Sequence, residues 1–225
     1  MKILVENDYS HKAALFVKQR VLKDPKLVLG LATGKTPLRM YEELSEMNLD
    51  FSGITVFNLD EYLGAKKMHD YLWSNFLSKI NIQKENVFLL NGLTENIKKH
   101  CSWYEKKIKE KGGIDLQILG IGRNGHIGLN EPGSSVNSRT RKVRLSEMTI
   151  KDNQCPNEAL SVGIETIMAS KEILLLASGE NKSKAIKQML EGEKVPASVL
   201  KKHPAFNLIL DERAASSLPK KAIRL

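Results

Sequence analysis

The chain has 225 residues, 41% of them hydrophobic and 27% charged, and a formal net charge of +9. This length is enough for one domain with a sizeable core, and no apolar run approaches the ~18 residues that cross a bilayer, so no membrane partner is expected. The basic residues are spread along the chain, often beside acids as in YEKKIKEKGG (104–113), and aromatics are only 6%; this pattern suits anionic metabolites and excludes a nucleic-acid footprint.

In chain order, Lys2–Val5 reads as a strand. The start, MKILVENDYS, has too short an apolar stretch and acids too early for a signal peptide, so a cytoplasmic protein is expected. Asp8 is placed to cap a helix over Ser10–Leu22, with Ala13, Ala14, Phe16 and Val17 on one face. Lys26–Leu31 is a buried strand, followed by a loop and a helix over Pro37–Met47. Ile54–Leu59 is the next strand, with a helix near Tyr71–Ile80 and a short strand at Val87–Leu90. A long helix covers Thr94–Lys111, then come strands at Asp115–Gly120 and Lys142–Leu145. Strand Glu172–Ser178, helix Lys182–Glu191, a short helix at Ala197–Lys202 and strand Phe206–Asp211 complete the series. The two cysteines, Cys101 and Cys155, form no CxxC, which fits a reducing compartment. No repeat, low-complexity tract or linker interrupts the chain, so residues 1–225 read as one domain. Strands separated by helices give an α/β fold: a doubly wound, mostly parallel sheet with helices on both faces. Ligands in such sheets bind beyond the carboxyl ends of the strands.

Three loops at those ends carry unusual residues. In LVLGLATGKTPLRMYEEL (27–44), a Gly/Thr loop joins strand to helix, with Thr36 as expected N-cap and Pro37 as first helical residue. Thr33, Gly34, Lys35 and Thr36 offer hydroxyls, a cation and helix N–H groups to a phosphate. An ATP-binding P-loop needs four residues between its first glycine and GK[ST]; Gly30 and Gly34 have three between them. An NTPase with TVFNLDE as its Mg²⁺-binding strand is the weaker alternative. In that second stretch Asp60 and Glu61 are adjacent, so on a strand one faces the site and the other turns away. The alternatives for the pair are a general base or a helix cap.

The third loop is GIGRNGHIGLNEPG (120–133). Its Gly120, Gly122 and Gly125 match GxGxxG, but Gly128, Asn130, Pro132 and Gly133 prevent the helix that a dinucleotide fingerprint requires. His126 has no partner ligand at metal-binding spacing, so no metal is expected. What remains is an imidazole in a glycine-rich loop. Glu131 or Asn124 is available to hold one ring nitrogen and leave the other for proton transfer.

LGLATGKTP, FNLDEYLG and LGIGRNGHIGLNEPGSS…SRTR, in that order, resemble the glucosamine-6-phosphate deaminase (isomerase) family, and the likeness continues through ALSVGIETIMASKEILLLASGENKSKAI and PASVLKKHP. The resemblance implies a Rossmann-like sheet of the sugar-phosphate isomerase type. The implied reaction is isomerisation and deamination of glucosamine 6-phosphate to fructose 6-phosphate and ammonia, without metal or organic cofactor. It assigns Asp60 as the base that moves a proton from C2 to C1, His126 to ring opening, and Glu131, with Asn124 in the same loop, to the histidine. It gives the phosphate to Thr33, Gly34, Lys35, Thr36 and Lys182. Alternatives are a galactosamine-6-phosphate isomerase, a 6-phosphogluconolactonase and a non-catalytic sugar-phosphate-binding regulator. Between SRTR and ALSVG the chain is short where larger members carry a lid with a phosphate-binding arginine. Cys155 falls near that place, and Arg141 or Arg144 is the expected substitute. A monomer or small homo-oligomer is implied.

Overall fold

A computed structural model describes residues 1–219 of the chain; residues 220–225, the end of the expected domain, lie outside the described residues. Among the described residues, ten strands form two sheets. β1 (Lys2–Val5), β2 (Val28–Leu31), β3 (Thr55–Asn58), β5 (Val87–Phe88), β6 (Leu116–Gly120), β9 (Glu172–Ala177) and β10 (Phe206–Leu210) make the larger one. β4 (Asp60–Tyr62), β7 (Arg141–Arg144) and β8 (Glu158–Ser161) make the smaller. The helices are α1 (Tyr9–Lys23), α2 (Lys35–Glu46), α3 (Lys67–Asn75), α4 (Ile97–Glu110), α5 (Glu147–Asn153), α6 (Ile164–Met168), α7 (Ser183–Glu191) and α8 (Glu212–Ala215).

The larger sheet has the order β1-β10-β9-β6-β2-β3-β5, and every pairing in it is parallel. Its central strands read as near-continuous apolar runs (VLGL, EILLLA, FNLIL) because they are covered on both faces. The chain winds outward from β2 through β3 to β5, then returns to β6 on the other side of β2 and winds the opposite way. By the right-handed rule for such crossovers, this strand order assigns α1, α2 and α3 to one face and α4, α6 and α7 to the other, and α1 packs on α2 and α2 on α3. This is the Rossmann-like arrangement expected. The reversal falls between β2 and β6, where the loops diverge and leave a crevice.

The smaller sheet is antiparallel, and the sequence pattern does not reveal it. Asp60 pairs with Ser161, Glu61 with Leu160 and Tyr62 with Ala159. Its strands have only three or four residues, too short for a period to stand out. The backbone turns from one sheet to the other at Leu59, whose carbonyl accepts from the Val162 N–H at 2.8 Å.

Several boundaries move. Asp8 does cap α1, accepting from the His11 N–H at 3.3 Å. α2, however, begins at Lys35 with Gly34 as its N-cap, at φ 99°. Thr36 is therefore inside the first turn and Pro37 is the third helical residue, where a missing N–H is still harmless. Only a glycine takes that left-handed φ without strain, and it leaves the helix start uncapped by any side chain. The helix expected over Tyr71–Ile80 is α3 followed by a 3-10 turn at Leu77–Lys79. Pro196–Lys202 is also 3-10 rather than α.

Candidate active site

The loops after β2, β3, β6 and β9 surround one cleft of about 680 Å³, a size that suits a small metabolite. Thr33, Gly34, Lys35, Thr36, Asp60, Asn124, His126 and Lys182 all line it. Of the catalytic and phosphate residues that the resemblance assigns, Glu131 alone is absent from the wall; it is buried beside His126.

The α2 start faces this cleft. The N–H groups of Gly34, Lys35 and Thr36 have no partner within the helix, because the first turn of any α-helix leaves them over. Two tyrosines fix the carbonyl side of this loop: Tyr71 Oη donates to the Gly34 carbonyl at 2.6 Å and Tyr9 Oη to that of Thr36 at 3.0 Å. Neither tyrosine stands out in the sequence.

The adjacent carboxylates divide their work as strand alternation requires. Glu61 is fully buried and accepts from the Tyr62, Met68 and His69 N–H groups at 2.8–3.1 Å. It thus caps the α3 start, with its charge at the positive end of the helix dipole. Asp60 turns into the cleft. Its Oδ1 is buried without a hydrogen-bond partner. Burial, with the Glu61 charge beside it, pushes its carboxyl up to about 7.

Asn58 holds the Asp60 main chain. Its Nδ2 donates to the Asp60 carbonyl at 2.8 Å, and its Oδ1 accepts from Leu90 N–H at 2.8 Å and Tyr104 Oη at 3.0 Å. The Tyr104 ring packs edge-on against Phe57, with centroids 5.5 Å apart. A core aromatic therefore anchors, through its hydroxyl, the residue that sets Asp60. Nothing in the sequence marks Asn58, since a polar residue at the end of an apolar strand reads as its boundary.

In the loop after β6 the His126 ring lies flat on the main chain. A Cβ at Gly122 would stand 2.3 Å from the ring's Cε1, so any larger residue there would displace the ring. The Gly122 N–H donates to the His126 carbonyl at 2.9 Å and closes the loop. Glu131 Oε2 is 3.7 Å from His126 Nδ1, an ion-pair distance, and Thr149 Oγ1 is 3.4 Å from the same nitrogen. The Asn124 side chain makes no hydrogen bond to the ring. It accepts from the His126 backbone N–H at 3.2 Å and donates to Glu131 Oε2 at 2.6 Å, tying both residues together. Burial raises the Glu131 carboxyl, but contacts from His126, Thr149 and Asn124 outweigh it and hold it at about 2. Glu131 is thus a fixed anion beside the imidazole.

Arg141 and Arg144 do not reach the cleft; Arg141 Nη1 donates to Asn130 Oδ1 at 2.9 Å instead. The cations on the wall are Lys35, Lys67, Arg123 and Lys182. Lys182 sits in the 3-10 turn before α7, and burial lowers its ammonium's affinity for a proton. The short segment between β7 and β8 forms α5, capped by Ser146, which lays Met148, Thr149, Asp152 and Asn153 along the cleft.

A family model described as glucosamine-6-phosphate isomerases/6-phosphogluconolactonase matches residues 6–210. The glucosamine-6-phosphate deaminase of Thermoanaerobacter pseudethanolicus is 46% identical, over 97% of this chain and 96% of that one. Their alignment runs over 242 positions, more than the 225 residues here, so the relative carries segments that this chain lacks. Among solved structures, a monomeric glucosamine-6-phosphate deaminase is 39% identical and superposes with a TM-score of 0.94, over 96% of this chain and all of that one. The 6-phosphogluconolactonase of Thermotoga maritima shares the fold, with a TM-score of 0.79 at 22% identity, over 93% and 99% of the two chains. By the matched span and these identities, the chain belongs to the glucosamine-6-phosphate isomerase/6-phosphogluconolactonase family.

Proposed function

We propose that this chain is a glucosamine-6-phosphate deaminase that converts glucosamine 6-phosphate and water to fructose 6-phosphate and ammonia. The observation that carries the reading is Asp60: a buried carboxyl with an unpartnered oxygen, brought to about 7, in the same cleft as His126. A base that must be free near neutral pH and still bind a proton well has this character.

In this reading the sugar's phosphate is held by the N–H groups and hydroxyls of the Thr33–Thr36 loop and by Lys182. His126 donates a proton to the ring oxygen as the C1–O5 bond breaks, and the neutral imidazole that results takes the 1-hydroxyl proton to give the open aldehyde. Glu131 stabilises the imidazolium form and fixes the ring. Asp60 then takes the C2 proton and returns it to C1 through an enolamine. Water adds to the resulting C2 imine, and ammonia leaves to give the ketose. Each step conserves atoms with only the substrate, water and these side chains.

The relatives at 46% identity and the monomeric deaminase support this activity over lactonase activity, since the lactonase likeness carries the fold alone. None of the described helices is long and apolar enough to cross a membrane, which is compatible with a cytoplasmic enzyme. The monomeric relative supports a monomer or small oligomer.

The test is ammonia release from glucosamine 6-phosphate and galactosamine 6-phosphate side by side, with acid release from 6-phosphogluconolactone as a third assay. Ammonia from the glucosamine substrate is expected. Ammonia from the galactosamine epimer alone, or acid without ammonia, refutes the assignment. Lys182→Ala is expected to raise KM for glucosamine 6-phosphate about tenfold or more, the loss of one charge-assisted phosphate contact. An unchanged KM would remove Lys182 from the phosphate site.

A further inference from the structure

Three charged side chains meet on one wall of the cleft. Arg123 lies three residues past β6, and β6 stands between β2 and β9. Its loop therefore runs between the Thr33–Thr36 loop after β2 and the Lys182 turn after β9. Its Nη1 contacts both carboxylate oxygens of Asp152 on α5, at 2.9 and 3.3 Å. Lys182 is close enough to feel both groups: Asp152 favours its charge and Arg123 opposes it. All three residues line the cleft.

This pair is poorly explained as a stabilising contact. Arg123's side chain is 48% exposed, and ion pairs of that exposure add little to folding. Nor does it complete a network, since no further partner of the Arg123 guanidinium is found among the described residues. Its position is better explained by a ligand. A phosphate monoester carries nearly two negative charges at neutral pH, and Lys182 supplies one balancing cation. A guanidinium is the side chain whose planar fork fits phosphate oxygens best. A single aspartate is a weaker competitor for that fork than a dianion.

We propose that Arg123 is a phosphate-recognition residue of the cleft, and that Asp152 holds its guanidinium until the substrate's phosphate takes it over. This deepens the reading of the cleft as a sugar-phosphate site and rests on it. The segment carrying Asp152 thereby senses an occupied cleft, because phosphate binding removes one of its attachments to the loop after β6.

The test compares wild type, Arg123→Ala, Asp152→Asn and the double variant. It reads KM for glucosamine 6-phosphate and, by calorimetry, the Kd for inorganic phosphate. Arg123→Ala is expected to raise both about tenfold. Asp152→Asn removes the internal competitor and is expected to lower both severalfold. That gain vanishes when Arg123 is absent, a coupling that a merely structural contact would not produce. Both side chains are at least partly exposed, so the folds should survive, which thermal melts check. If Arg123→Ala leaves KM and Kd within twofold of wild type while Lys182→Ala raises them, Arg123 is not a phosphate ligand and the deaminase reading stands. If Asp152→Asn acts equally with and without Arg123, the placeholder role is refuted. If wild type releases no ammonia yet binds phosphate in an Arg123-dependent way, the reaction is wrong and the anion site stands.

Discussion

Asp60→Asn is expected to lower kcat for ammonia release by at least about 10³, the loss of a positioned base at carbon, while phosphate binding survives. The amide keeps the shape and cannot take the C2 proton. The same substitution should raise the melting temperature. Asp60's carboxyl has a folded value of about 7 against 3.8 in the unfolded chain. A raised carboxyl means that ionisation opposes folding. Its penalty is absent below pH 3.8, grows between 3.8 and 7, and is constant above. The stabilisation by the amide should follow that course, small at pH 4 and full by pH 8. In the wild type, kcat/KM should fall tenfold per unit as pH drops below 7, because only the carboxylate is a base. An active Asp60→Asn enzyme, or an acid limb centred near 4, would remove Asp60 as the base.

His126→Gln is expected to slow turnover of the cyclic substrate about 10²-fold or more, within the range of a lost general acid. Glutamine keeps a hydrogen-bonding group of similar reach but does not titrate. The defect should lie in kcat more than in KM, since His126 is assigned to proton transfer and not to the phosphate. An unchanged kcat would show that ring opening proceeds without His126. A loss matched by a collapsed melting curve would instead mark the ring's packing on Gly122 as its main role, and the Thr149→Val variant, which spares that packing, would then separate the two.

The parallel sheet is legible because buried central strands leave long apolar runs, and because Gly/Thr-rich loops punctuate them at regular places. Three kinds of feature stay hidden. The strands β4 and β8 are too short and mixed to show a period. The cap of α2 misleads because Thr36 has the right chemistry, whereas the left-handed backbone at Gly34 moves the start by two residues. The residues that support the chemistry carry no signal of their own. Asn58, Tyr71 and Thr149 reach Tyr104, Gly34 and His126 across 46, 37 and 23 residues of chain. Arg123, beside the marked histidine loop, is readable as a cation near the site, but its partner Asp152 lies in a stretch whose fold the sequence leaves open.

The pairing of β4 with β8 has an evolutionary corollary. Which of two neighbouring acids meets the substrate is a question of register: a one-residue slip in that three-residue strand would exchange base and cap. Register there is locked by Ser161, Leu160 and Ala159, downstream of α5. Deletions between β7 and β8 can therefore remodel the roof of the cleft while leaving the choice of acid untouched. A lineage can trim or extend that connection freely, and the small sheet acts as the gauge that keeps the reaction constant while its cover changes.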